Sequence, residues 1–218
     1  MSRPLTISLI VLTALGCLAL VYLQRIGLPE PAAVAKIAAS AGFVATALSA
    51  GATGSRYGRF LLGGLLLSWL GDALLLGTSR QLFLAGLVSF LTAHLAYVAA
   101  FFVNGMNARW LAFSAIPLVA VALLVTAWLT PQLPAGIAWP VHAYTVVITM
   151  MVICAIGAYG AGAAALVPIG AVLFFVSDLS VAALRIAGSE LPMYVWGLPA
   201  YYAGQLCLAA SCARTRNP

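Results

Sequence analysis

The sequence predicts an all-α integral membrane protein: a bundle of about eight transmembrane helices with short loops. Three observations predict it. The 218 residues are 64% hydrophobic and only 6% charged, with a mean hydropathy of +1.11. No soluble domain of this length hides so much apolar surface. The apolar residues gather in eight runs, each close to the ~20 residues that cross a bilayer. The runs are rich in Leu and Ala and lack the alternation of barrel strands. No intervening segment is long enough to fold alone, so one transmembrane domain is expected over residues 1–218.

The first run, 5–23, follows Arg3 and reads as a retained helix. Ala14-Leu15-Gly16-Cys17 only imitates a lipoprotein cleavage site, and seven more apolar runs follow. Leu28-Pro29-Glu30-Pro31 leads into the second run, 33–51, and Ser55-Arg56-Tyr57-Gly58-Arg59 into the third, 59–77. The fourth, 81–103, comes only a few residues later. Thr130-Pro131-Gln132-Leu133-Pro134 separates the fifth, 110–129, from the sixth, 139–160. The weakest boundary is Tyr159-Gly160-Ala161-Gly162, where the sixth nearly merges with the seventh, 164–185. One kinked helix there would leave seven spans and invert the C-terminus. The eighth run is 194–212. Short connections make sequence neighbours antiparallel, and Gly157, Ala161 and Ala165 are small residues at helical spacing, suited to tight helix contacts. Laying Asp72 over Asp178 aligns Gly64-Leu65-Leu66-Leu67 with Gly170-Ala171-Val172-Leu173, which allows two parallel four-helix repeats.

The net charge of +6 is spread over loop ends, the pattern of membrane anchoring rather than of a nucleic-acid surface. With the N-terminus inside, Arg3, Arg56, Arg59, Arg109, Arg214 and Arg216 fall on the inner side and Arg25, Lys36, Arg80 and Arg185 on the outer. That bias favours cytoplasmic termini, and a multi-pass protein of a bacterial inner membrane is expected. Cys17, Cys154, Cys207 and Cys212 lie in or at the ends of apolar runs and read as packing residues.

Function is carried by the few polar groups inside the runs. The chain has four acids and two histidines, and a charge near a bilayer centre costs at least ~2.5 kcal/mol. Spans three and seven run the same way, placing Asp72 and Asp178 roughly 8–11 Å below one face at about 1.5 Å per residue. Counting from the starts of the even spans reaches the same face, near which lie Lys36, His142, Tyr144, Tyr201 and, deeper, Gln205. His94 and Tyr97 sit below the midplane. Polar groups concentrated in one half of the bilayer predict a cavity open to one side.

Each acid has a structural reading, as a buried lock capped by Arg, Lys or Tyr. It also has a functional one, as half of a carboxylate pair in which burial and like charge keep one member protonated. His94 and Tyr97 are one turn apart and share a face; a histidine among helices is usually a packing residue. A catalytic zinc site usually wants three protein ligands, so no metal is expected. Ser177 lacks a nucleophile elbow, and His94 lies at the wrong depth to activate it. Tyr201 and Tyr202 each reach the face of Gln205. Lys36 either snorkels to the interface or attracts a phosphate.

In combination these residues form a specific string: Lys36 opening span two; Ser68-x-x-Gly71-Asp72; Phe83-x-x-Gly86; Phe90-x-x-x-His94-x-x-Tyr97-x-x-x-Phe101; Tyr144 with Met151; Gly170-Ala171-x-x-Phe174-x-x-Ser177-Asp178; Ala182 with Arg185; and Tyr201-Tyr202-x-x-Gln205. The string resembles the YhhN-like family of membrane lysoplasmalogenases from span two to span eight. The resemblance implies a hydrolase that cleaves the vinyl ether bond of lysoplasmalogen to a fatty aldehyde and a glycerophospho-base, without a cofactor. It implies that Asp72 and Asp178 are the catalytic pair. It also implies a binding site drawn from Lys36, His94, Tyr97, Tyr144, Ser177, Arg185, Tyr201, Tyr202 and Gln205, with Lys36, Arg185 and the tyrosines on the phosphate and glycerol. Ile37, Leu184 and Gly204 depart from the family's usual Pro, Asn and Ala, and bear on substrate preference more than on reaction type. The expected partners are a lysophospholipid substrate and membrane lipids, with no nucleic acid. The competing class is a proton-coupled transporter of small molecules or lipids, which would use the same acids and whose cavity would continue to the opposite face; an inactive lipid-binding relative is a third.

Overall fold

The computed structural model describes residues 3–133, 136–188 and 193–213. Eight long helices account for most of it: α1 (Arg3–Arg25), α2 (Pro29–Ser49), α3 (Arg56–Leu74), α4 (Arg80–Asn104), α5 (Ala108–Leu129), α6 (Ala138–Gly160), α7 (Leu166–Arg185) and α8 (Gly197–Ser211). No strand occurs among the described residues. The boundary at Tyr159–Gly162 is a true break. Gly162 takes a left-handed φ of 101°, which suits glycine and stops the helix.

Six helices (α1, α2, α4, α5, α6 and α7) are long and apolar enough to cross a membrane. The other two, α3 and α8, differ for separate reasons. Helix α3 carries Arg56, Arg59 and Asp72. Helix α8 has 15 residues, about 22 Å at 1.5 Å per residue, which is short of a ~30 Å hydrocarbon core. Pro199 sits in its first turn, where a missing N–H is tolerated. Its buried face holds Tyr201, Tyr202, Gln205 and Leu208, so α8 lies within the bundle.

The helices pack as antiparallel neighbours, α1 on α2, α3 on α4, α5 on α6 and α7 on α8. Pairings between the two halves follow a matching pattern: α2 packs on α8 and α4 packs on α6. Helices α7 and α8 approach closely because Gly170 and Gly204 face each other. A Cβ on Gly170 would lie 2.8 Å from the Gly204 carbonyl oxygen, and one on Gly204 would lie 2.9 Å from that of Gly170. In one respect the halves part. Helix α1 packs on α8 as well as α2, whereas α5 packs extensively on α6 alone among the long helices. Only Ser114 and Leu129 of α5 are buried, and residues such as Phe113 and Ile116, both 79% exposed, point outward as lipid-facing residues do.

Candidate functional site

Asp72 reaches the core from the last turn of α3 and is 3% exposed. Three side chains from two helices hold its carboxylate. From α2, the Lys36 ammonium lies 3.1 Å from Oδ1 and the Ser40 hydroxyl donates to Oδ2 at 2.7 Å. From α8, the Tyr201 hydroxyl donates to the same oxygen at 2.6 Å. Lys36 and Ser40 are one helical turn apart, so α2 presents both on one face. Tyr202 ties this arrangement together: its hydroxyl donates to the Lys36 carbonyl at 3.1 Å and lies 3.1 Å from Ser40 Oγ. An ammonium and two hydroxyls satisfy Asp72 as a carboxylate, and charge-assisted bonds of this kind are the strong ones.

Asp178, on α7, has a different setting. The Tyr144 hydroxyl of α6 donates to its Oδ2 at 2.5 Å, and His94 Nε2 of α4 lies 3.8 Å from that oxygen. Among the described residues no lysine or arginine bonds Asp178. Its side chain keeps 19% of its surface accessible, against 4% for that of Asp72.

Below the acids lies an aromatic floor. The Phe174 ring packs edge-on against His94 at 4.7 Å between centroids, lies 5.3 Å from Tyr201 and 6.1 Å from Phe90. His94 is fully buried, and neither ring nitrogen has a hydrogen-bond partner among the described residues. Tyr97, also fully buried, donates to Gln205 Oε1 at 2.9 Å and lies 3.2 Å from Ser68 Oγ, joining α3, α4 and α8. Gln205 Nε2 is buried with no hydrogen-bond partner among the described residues.

Two cavities meet at Asp178. A polar one of about 160 Å³ is lined by Lys36, Asp72, Ser177, Asp178, Arg185 and Tyr201, with Gln24 and Tyr194 at its edge. An apolar one of about 90 Å³ is lined by Phe83, Leu87 and Phe90 of α4, Val125 and Leu129 of α5, Tyr144 and Ile148 of α6, and Phe175 and Asp178 of α7. Asp178, Leu75 and Val181 line both. Of the residues expected from the sequence, Lys36, Asp72, Ser177, Asp178, Arg185 and Tyr201 therefore share one cavity, and Tyr144 faces the other. His94, Tyr97, Tyr202 and Gln205 line neither and support the walls and floor. His142 lies apart, 3.1 Å from Thr130 Oγ1 where α5 turns into α6. Three contributors were not singled out from the sequence: Ser40, Gln24 and Tyr194. Ser40 had a signal, its i,i+4 spacing from Lys36; Gln24 and Tyr194 look like ordinary interfacial residues.

This is a multi-helix membrane protein with two buried acids where a polar and an apolar cavity meet. The chain belongs to the YhhN family, whose sequence profile matches residues 31–212. It is 27% identical over 161 residues to lysoplasmalogenase TMEM86A from Bos taurus, a match covering 71% of this chain and 65% of that protein. The match thus spans slightly under two thirds of that relative's length. No solved structure matches.

Proposed function

We propose that this protein is a lysoplasmalogenase-type hydrolase, cleaving the vinyl ether bond of a single-chain lipid into a fatty aldehyde and a glycerophospho-base. The observation that carries the reading is the junction: a polar and an apolar cavity share Asp178. A lysolipid placed with its head group beside Lys36 and Arg185 and its chain against Leu87 and Phe175 brings the bond between them to a carboxyl group. The name of the Bos taurus relative favours this reading over transport.

The chemistry suits two acids in different settings. A vinyl ether hydrolyses when a proton is added to its β-carbon, leaving an oxocarbenium ion. Water adds to the carbon bonded to the ether oxygen, and the hemiacetal breaks down to aldehyde and alcohol. Asp178 is the proton donor in this scheme. It lies at the junction, no lysine or arginine among the described residues bonds it, and Tyr144 engages only one of its oxygens. Donation leaves a carboxylate, which takes a proton from the attacking water and so resets the acid. Asp72, paired with Lys36 and bonded by Ser40 and Tyr201, stabilises the passing positive charge. Glycoside hydrolysis divides the work between two carboxyl groups in the same way.

The test is incubation of the purified protein with a vinyl ether lysolipid and with its acyl ester counterpart. Aldehyde from the first and no fatty acid from the second is the expected result, because protonation of carbon has no use on an ester. Absence of aldehyde under all lipid conditions overturns the reading.

A further inference from the structure

The apolar cavity and the packing of α5 bear on where the lipid's chain goes. The cavity, about 90 Å³, takes only the first several carbons of a long chain, at ~10–15 Å³ for each water-sized group. The rest of a long chain has to leave through a wall. Three of the four helices lining the cavity are mutually braced, since α6 packs on both α4 and α7. Helix α5 is not. Its ties run to α6: Asn107 N–H donates to the Gly157 carbonyl at 2.9 Å, the Asn107 side-chain amide donates to the Gly160 carbonyl at 3.1 Å, and Thr130 meets His142 at the other end. Between these ends Pro117 removes one backbone hydrogen bond from the helix. Helices α4 and α5 both line the cavity without packing extensively on each other, so little helix–helix packing seals the cavity between them.

We infer that α5 is a lipid-facing flap over the chain site: the substrate's hydrocarbon tail passes beside α5 into the bilayer, and Val125 and Leu129, opposite Leu87 and Ile148, set which chains fit. The occupant is the hydrocarbon chain of a single-chain lipid, because the cavity shares Asp178 with one lined by Lys36 and Arg185. Entry is lateral, from the membrane. The inference rests on the proposed hydrolase reading for its kinetic arm, but its binding arm does not.

The experiment compares Val125→Trp and Val125→Ala with Leu124→Trp, a control on the outer face where Leu124 is 70% exposed. Substrates are butenyl and hexadecenyl glycerophospholipids, and binding is measured with the non-hydrolysable butyl and hexadecyl ether analogues. Val125→Trp should lower kcat/KM for the long chain by about tenfold or more, the scale set by methylene-sized misfits in apolar pockets, and leave the short chain within about twofold. Val125→Ala should improve the relative rate of a methyl-branched long chain, and Leu124→Trp should change neither. Equal losses for both chains, or no loss for either, overturn the flap; Val125→Ala decides the matter if Val125→Trp fails to fold. If the wild type cleaves neither substrate, yet Val125→Trp weakens binding of the hexadecyl analogue alone, the hydrolase reading fails and the chain site stands. If the long chain binds equally well to both proteins, the chain site fails.

Discussion

Aligned in sequence, Asp72 of α3 corresponds to Asp178 of α7, and the surroundings of the two acids differ. Asp72 meets an ammonium and two hydroxyls; Asp178 meets one phenol, with an imidazole at 3.8 Å. The offset that joins the acids also joins Lys36 to His142. Lys36 turns inward onto Asp72, whereas His142 turns to Thr130 and leaves Asp178 to Tyr144. The outer helices diverge too: α1 is braced by α8, and α5 hangs on α6. One position carries a cation and two hydroxyls on its carboxylate. The other, among the described residues, carries one phenol and lines both cavities. In the proposed mechanism the clasped acid stabilises charge and the other donates the proton.

The sharpest way to break this comparison is to exchange each acid for its amide. Asp178→Asn should lower kcat by about two orders of magnitude or more, the usual range for a positioned general acid, with little change in lipid binding. Activity near that of the wild type would remove Asp178 from the donor's role. Asp72→Asn should lower kcat as well, because it removes the charge that stabilises the oxocarbenium ion, and it should also cost stability. It strands the Lys36 ammonium, and breaking a buried ion pair costs about 3 kcal/mol or more. Thermal unfolding should report the loss, and adding Lys36→Met should recover much of it, because the double change leaves no unpaired charge. A double variant no more stable than the single one would mean that Lys36 is compensated elsewhere.

Smaller effects sharpen the same contrast. Tyr144→Phe removes the one hydroxyl bonded to Asp178 and should lower kcat by about tenfold, whereas Tyr201→Phe removes one of three donors to Asp72 and should do less. The reverse order would contradict the assignment of roles. Tyr57→Phe tests a bond outside the cavities, where the Tyr57 hydroxyl lies 2.7 Å from Ser211 Oγ between α3 and α8. It should reduce stability by about 1 kcal/mol and leave kcat/KM unchanged.

Much of the fold is legible in the sequence because hydropathy is a one-dimensional signal. Apolar runs of bilayer length set off by Pro, Gly and Arg mark the eight helices, and Gly162 marks the break between α6 and α7. Depth is legible as well: counting residues from span ends puts Lys36, Asp72, Tyr144, Asp178 and Tyr201 near one face. Helix rotation is not. Whether Lys36 points to lipid or to Asp72 depends on how α2 is turned against α3 and α8, and no residue count carries that angle. The same blindness hides Ser40, an ordinary hydroxyl in an apolar run until α2 faces α3. It hides the looseness of α5 too, a clear span from composition, of which only Ser114 and Leu129 are buried.

The proposed chemistry turns on a proton delivered to carbon, so the most direct measurement is the deuterium content of the aldehyde released in heavy water and trapped at once. One deuterium is expected on the carbon next to the carbonyl, with slower turnover than in ordinary water and about a hundredfold less product from Asp178→Asn. Aldehyde released at full rate without deuterium would mean that carbon is not protonated, and would contradict the role given to Asp178.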